Sequence, residues 1–178
     1  MRRFTKQGRG YTKAGLSGLS AKLNGADAES AVNMIANIYL QEGSAEICKR
    51  YEPYRRVGGG GGGKLFKATY TERAGCDFEL WLTDGRAGHI ELKSREADRI
   101  PKSAIDDTQS AQLSRRLSYG HLALVLVRLR GVWFLVSWDR WQDGDRKSHN
   151  AKQLEEIGVR LALRSGLPDI VKALTGET

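Results

Sequence analysis

The stretch "CDFELWLTDGRAGHIELKSR", residues 76 to 95, sets Asp77, Glu91 and Lys93 among alternating apolar residues. Three charges in a sheet are costly unless each has a partner or a task. Two converging carboxylates suit magnesium, a hard ion that prefers oxygen ligands and keeps several waters. A lysine beside them offers a proton donor or a point charge, able to orient a water or offset charge on a phosphodiester under attack. An ordinary hairpin with its charges on the wet side accounts for the same triplet, because acid-x-Lys is common by chance.

The elements that must position these residues follow from periodicity. Residues 76 to 83 and 87 to 94 alternate apolar and polar, and Asp84-Gly85 is a strong turn signal. Phe78, Leu80 and Leu82 share one face of the first strand, with Asp77, Glu79 and Trp81 on the other. On the second strand Ile90 and Leu92 face one way, Glu91 and Lys93 the other. Pairing about the turn brings Asp77 to the same edge. "HLALVLVRL" reads as a buried strand and "GVWFLVSW" as its neighbour, turned at Arg130-Gly131. Such strands need cover on both faces, which predicts an α/β layer structure. Helices are expected over about Asp27 to Gln41, capped by Asn24 or Asp27, and over Ser103 to Ser118 with Ile105, Leu113 and Leu117 apolar. A helical turn is expected at Trp138 to Asp143. Short helices follow at 150 to 157 and at 167 to 174, the latter opening with Pro168.

The 178 residues, 40% hydrophobic, fit one compact domain with a real core. The formal net charge of +8 points to a polyanion such as nucleic acid or an anionic membrane. A membrane-binding basic amphipathic helix is not evident. Cys48 and Cys76 make no zinc or redox spacing, and neither a signal peptide nor a spanning stretch is visible, so a soluble, cytoplasmic protein is expected. Residues 1–23 read as a flexible basic arm, with residues 24–178 forming the domain. Within it, "RRVGGGGGGKLFK" contains six consecutive glycines and reads as a mobile basic loop or stalk near 53–68. A P-loop is disfavoured, since Lys64 is followed by Leu65.

An aspartate, then a dozen or so residues, then Glu-x-Lys on adjacent strands resembles the PD-(D/E)xK nuclease superfamily, although Gly75-Cys76 stand where its proline usually precedes the aspartate. "NGADAESAVNMIANIYLQEGSAEICKRYEPYR", the hairpin itself, "TQSAQLSRRLSYGHLALVLVRL" and "VWFLVSWDRW" together resemble RecU-type Holliday junction resolvases over residues 24 to 141. Archaeal-type resolvases are a neighbouring reading. The resemblance implies a restriction-endonuclease-like core, a central mixed β-sheet flanked by helices. It implies metal binding by Asp77 and Glu91, with Glu29 from the first helix completing or orienting the site, and Lys93 as the catalytic lysine. Gln109 would lie by the water or scissile phosphate, with Gln112 as its rival. The ion would be Mg2+, with Mn2+ able to substitute.

The same resemblance implies a homodimer that nicks four-way junction DNA symmetrically, leaving 5′-phosphate and 3′-hydroxyl ends, in company with recombination or branch-migration proteins. The short, diverged form fits a phage source. Candidate phosphate contacts are Arg2, Arg3, Lys6, Arg9, Arg55, Arg56, Lys64, Lys67, Arg115 and Arg116. Two other readings share these residues: a superfamily nuclease acting on duplex or flap DNA, and a noncatalytic junction-binding protein.

Overall fold

The computed structural model describes residues 13–51, 54–59, 66–70 and 75–176, with side chains over 27–51 and 75–176. In chain order the elements are α1 (Lys13–Glu42), β1 (Ala45–Lys49), β2 (Tyr54–Gly59), β3 (Phe66–Tyr70), β4 (Phe78–Leu82), β5 (Ala87–Arg95) and β6 (Arg99–Pro101). A single 3-10 turn, Lys102–Ala104, leads to α2 (Asp107–Ser118), β7 (Leu122–Leu129), β8 (Val132–Ser137) and α3 (Trp138–Gln142). The chain ends with β9 (Ser148–Asn150), α4 (Ala151–Ile157), β10 (Gly158–Arg160), β11 (Leu163–Arg164), β12 (Leu167–Pro168) and α5 (Ile170–Thr175).

The main sheet has six strands in the order β1-β4-β5-β7-β8-β10. Its neighbours are antiparallel except β5 and β7, which pair in parallel from Gly88↔Leu122 to Arg95↔Leu129. A parallel pair needs a crossover, and α2 lies within it. The sheet is therefore mixed and flanked by helices, as the α/β expectation requires. On one face α1 lays Ala28, Val32, Ile35 and Tyr39 against Phe78, Leu80, Ile90, Leu124 and Leu126. On the other, Leu113 of α2, Trp138 and Trp141 of α3 and Leu154 of α4 pack with Val125, Val127, Phe134 and Val136. Both faces of β7 are thus covered, which is why its sequence is a continuous apolar run.

Several elements differ from the sequence expectation. The first helix is described from Lys13, so Asn24 and Asp27 lie inside it and not at its N-terminus. Its N-terminal tract is rich in alanine, leucine and lysine, and a cost of roughly 1 kcal/mol per interior glycine does not stop it. The arm expected over 1–23 is therefore helical from residue 13, and residues 1–12 lie outside the described residues. Gly58 and Gly59 belong to β2, which pairs with β3 as a separate two-stranded sheet with a register shift between Arg56 and Gly59. Glycine is allowed in such a strand, and the irregularity falls where side chains no longer fix the register. The segment 60–65 lies outside the described residues.

The expected helix at Ser103 begins at Asp107, because Asp106 caps it: the Asp106 carboxylate accepts from Gln109 N–H (2.9 Å) and Gln109 Oε1 accepts from Asp106 N–H (3.1 Å). Leu117, expected to face the core, is 39% exposed. Pro168 sits in β12, paired with Leu163, and α5 starts after Asp169 instead. Among the described residues, no helix is long and apolar enough to cross a membrane.

One buried contact ties the last helix to the first. Tyr39 is 1% exposed. Its hydroxyl donates to Asp169 Oδ1 (2.8 Å) and accepts from Val171 N–H (3.3 Å). Tyr39→Phe should lower the unfolding free energy by about 1–3 kcal/mol, because two polar partners lose their bond in a dry place. Urea titration of wild type and variant checks this; an unchanged midpoint would mean the bonds contribute nothing net.

Candidate active site

Period-two alternation and the Asp84-Gly85 turn set the hairpin. Gly85 takes φ of 86°, and the register runs Trp81↔Ala87, Leu80↔Gly88, Glu79↔His89 and Phe78↔Ile90. One step further along the chain sets Asp77 opposite Glu91. There the strand ends: residues 75–77 bend, and the Asp77 carboxylate takes the Leu92 N–H (Leu92 N to Oδ2, 2.8 Å). A side-chain acceptor thus serves a sheet N–H that has run past the end of β4. That bond fixes one carboxylate directly beside the strand that carries the other.

Glu91 has no exposed surface and stands on the central strand β5. Its Oε1 accepts from Lys93 Nζ (2.6 Å) and from Gln109 Nε2 (2.5 Å). Gln109 Oε1 in turn accepts from Lys93 Nζ (3.1 Å). Glu91, Lys93 and Gln109 form a closed triangle, and the capping bonds of Asp106 hold Gln109 in it. Glu91 Oε2 is buried with no hydrogen-bond partner among the described residues.

The electrostatics follow from burial. Burial, then the neighbouring Asp77 carboxylate, push the Glu91 carboxyl up to about 8, with Lys93 pulling the other way. Burial also raises Asp77; the Leu92 N–H and Lys93 oppose it, Glu29 adds to it and Lys49 opposes it. The thiol of Cys76, beside Asp77, is pushed to about 12 by burial and by Glu91 and Asp77. It is a packed hydrophobe and no nucleophile.

The structure brings Asp77, Glu91, Lys93 and Gln109 together. Glu29 is placed differently: its carboxylate is ion-paired with Lys49 and the side chain is 38% exposed. It comes from α1, on the face of Phe78 and Ile90, whereas Glu91 points to α2. Glu29 therefore meets Asp77 only around the open end of β4. Among the described residues no group of three or more His, Cys, Asp and Glu side chains is arranged to hold a metal ion. Asp77 and Glu91 are the two oxygen donors that converge. The spare oxygen of Glu91, buried and unpartnered beside a second carboxylate, is the feature a hard divalent cation fits.

Sequence reasoning passed over Lys49 as the partner of Glu29. It also passed over the Arg50–Glu79 ion pair (3.3 Å) and the stacked rings of His89 and His121 (5.6 Å between centroids). The register of β1 on β4, Cys48↔Glu79 and Lys49↔Phe78, places Lys49 and Glu79, and a single sequence does not give that register. Of the basic candidates, Arg115 and Arg116 lie in the last turn of α2. Arg55 and Arg56 lie in β2 and Lys67 in β3. Arg2, Arg3, Lys6, Arg9 and Lys64 lie outside the described residues.

No protein-family model matches this chain, and no curated protein matches it. Among solved structures, the chain is similar to the 1.6 Å structure of Archaeoglobus fulgidus Hjc, a Holliday junction resolvase from an archaeal hyperthermophile. The match spans 76% of this chain and 95% of that one, at 16% identity and a TM-score of 0.47.

The buried acid has a measurable signature. Folded Glu91 titrates near 8, against 4.5 for an ordinary glutamate, so the folded state holds its proton more tightly than the unfolded chain. The stability this contributes is complete below pH 4.5 and is lost as the pH rises to about 8. In chelator-treated protein, unfolding free energy should fall across that window, and Glu91→Gln should remove most of the slope. Parallel pH–stability curves for the two proteins would contradict the assignment.

Proposed function

We propose that the protein is a metal-dependent endodeoxyribonuclease that resolves four-way DNA junctions by symmetric nicks. The observation that carries this reading is the Asp77, Glu91, Lys93 and Gln109 constellation, with one buried glutamate oxygen left unpartnered. Asp77 and Glu91 would hold Mg2+ or Mn2+, and Glu29 would join them on leaving Lys49. The ion, when bound, supplies an activated water and offsets the negative charge of the scissile phosphate. Because Glu91 binds its proton up to about pH 8, loading the ion would release that proton.

The chain's own residues supply the rest. Lys93 keeps its ammonium 2.6 Å from Glu91 Oε1, where it orients water and steadies charge growing on the phosphate. Gln109 holds Lys93 and Glu91 in register. DNA recognition rests on backbone charge and junction shape, with Arg115, Arg116, Arg55, Arg56, Lys67 and the N-terminal Arg2, Arg3, Lys6 and Arg9 as phosphate contacts, and Lys64 with them. The β2–β3 ribbon would reach toward the junction centre. A homodimer would present two such sites to the two equivalent strands of a junction. A RecU-type enzyme, from a phage or its host, is the particular form we infer from the sequence resemblance.

The test is cleavage of a labelled immobile four-way junction beside linear duplex, flap and single strand, with and without Mg2+. Paired symmetric nicks in the junction alone are expected, and Asp77→Asn should reduce the rate by roughly three orders of magnitude or more, as loss of a ligand-supported site does. Equal cleavage of duplex and junction would replace the resolvase reading with a general nuclease. Tight binding with no cleavage in either ion would leave a structural junction binder.

A further inference from the structure

Gly75 precedes the catalytic strand by three residues, and what requires a glycine there is not its backbone. Gly43, Gly85, Gly120 and Gly131 have positive φ and open space where a side chain would go. Gly75 is buried and lies outside the positive-φ set. A Cβ added to it would meet the Gln112 carboxamide: Oε1 at 1.2 Å, Cδ at 1.6 Å and Nε2 at 2.2 Å. Gly75 is therefore the bare floor on which the end of Gln112 rests.

The two glutamines of α2 are used differently. Both ends of the Gln109 amide are engaged: Nε2 donates to Glu91, and Oε1 accepts from Lys93 and from Asp106 N–H. Gln112, three residues on and on the same side of the helix, has no hydrogen-bond partner for its carboxamide among the described residues. It is placed by packing alone, next to the bend that delivers Asp77, and it is only partly buried. Arg116 continues the same helix face one turn further and has no ion pair among the described residues. Gln109, Gln112 and Arg116 form a row of donors leading from Glu91 along α2.

We propose that Gln112 is a substrate-binding residue: its amide N–H donates to a phosphate oxygen of the DNA strand next to the scissile bond. The proposal rests on the nuclease reading above. An uncharged donor suits this place, because it can approach a phosphate without competing with a cation for Asp77 and Glu91. Among the described residues nothing takes up the amide's hydrogen-bonding capacity, and the Gly75 floor fixes where it points.

Cleavage and equilibrium binding of the labelled junction test this with Gln112→Ala, Gln112→Glu, Gly75→Ala and the double variant Gly75→Ala/Gln112→Ala. Binding is read in Ca2+, and thermal unfolding confirms each fold. Gln112→Ala should lose roughly tenfold in kcat/KM, the size of one hydrogen bond to a charged group. Gly75→Ala should lose a similar factor, because the added methyl displaces only the flexible end of Gln112. The double variant should be no worse than either single one. Gln112→Glu should be worse than Gln112→Ala, since a carboxylate repels phosphate; mere packing would give the opposite order. Wild-type cleavage with Gln112→Ala and Gln112→Glu unchanged overturns this proposal alone. So does Gln112→Glu matching wild type while Gln112→Ala is impaired. A wild type that neither binds nor cuts any DNA overturns the nuclease reading and this proposal together.

Discussion

A carboxylate with no exposed surface, placed in the middle of a sheet, is the constraint around which the site is organised. Glu91 could be replaced by a valine as far as β5 and β7 are concerned, since its parallel partner is Val125. Keeping an acid there demands compensation, and it comes from two directions. Lys93 supplies charge from the same strand. Gln109 supplies a donor from the helix of the crossover. Burial, and after it Asp77, work against both and favour the protonated form of Glu91. Buried ion pairs of this kind add little to stability compared with apolar residues of equal volume. Their retention is better explained by what the assembled corner can do.

The helix α2 is the joint that makes the corner possible. Its capping box ends the loop after β6, and one capping residue is also a candidate site residue. The same glutamine amide therefore sets where the helix begins and how Glu91 and Lys93 sit. Leu113 roots the helix in the second apolar layer, and Trp138 Nε1 donates to Ser114 Oγ (2.9 Å) to fix its outer side. Helix packing thus places the Gln109 side of the site, while Asp77 comes from the bend before β4.

Much of this was legible in the sequence, for identifiable reasons. The period of two and the Asp84-Gly85 turn determine the hairpin register, so the convergence of Asp77 with Glu91 and Lys93 follows from residue order. β7 and β8 announce themselves by apolar runs and by Arg130-Gly131, whose positive φ values of 48° and 77° give a tight hairpin turn. Gln109 rests on the resemblance, although Asp106-x-x-Gln109 is itself a capping signature. What the sequence withholds is tertiary: which face of the sheet a helix covers. That choice separates Glu29 from Glu91 and gives it Lys49 instead. The early start of α1 was hidden because Asn24, Gly25 and Asp27 imitate a helix boundary. The short pairings of β6 with β9 and of β8 with β10 span three residues each, too few for periodicity to register.

The order of the strands has a consequence during synthesis. The β4–β5 hairpin is complete as soon as residue 95 is made, but the neighbour of β5 on its other side begins at Leu122. Until then the far edge of β5 is an open ladder carrying Ile90 and Leu92, the kind of edge that pairs with other chains. Glu91 and Lys93 alternate with those apolar residues along that edge. Charges pointing out of an unfinished strand discourage another chain from adding to it. The acid and the lysine would thus guard the nascent sheet before they ever meet Gln109.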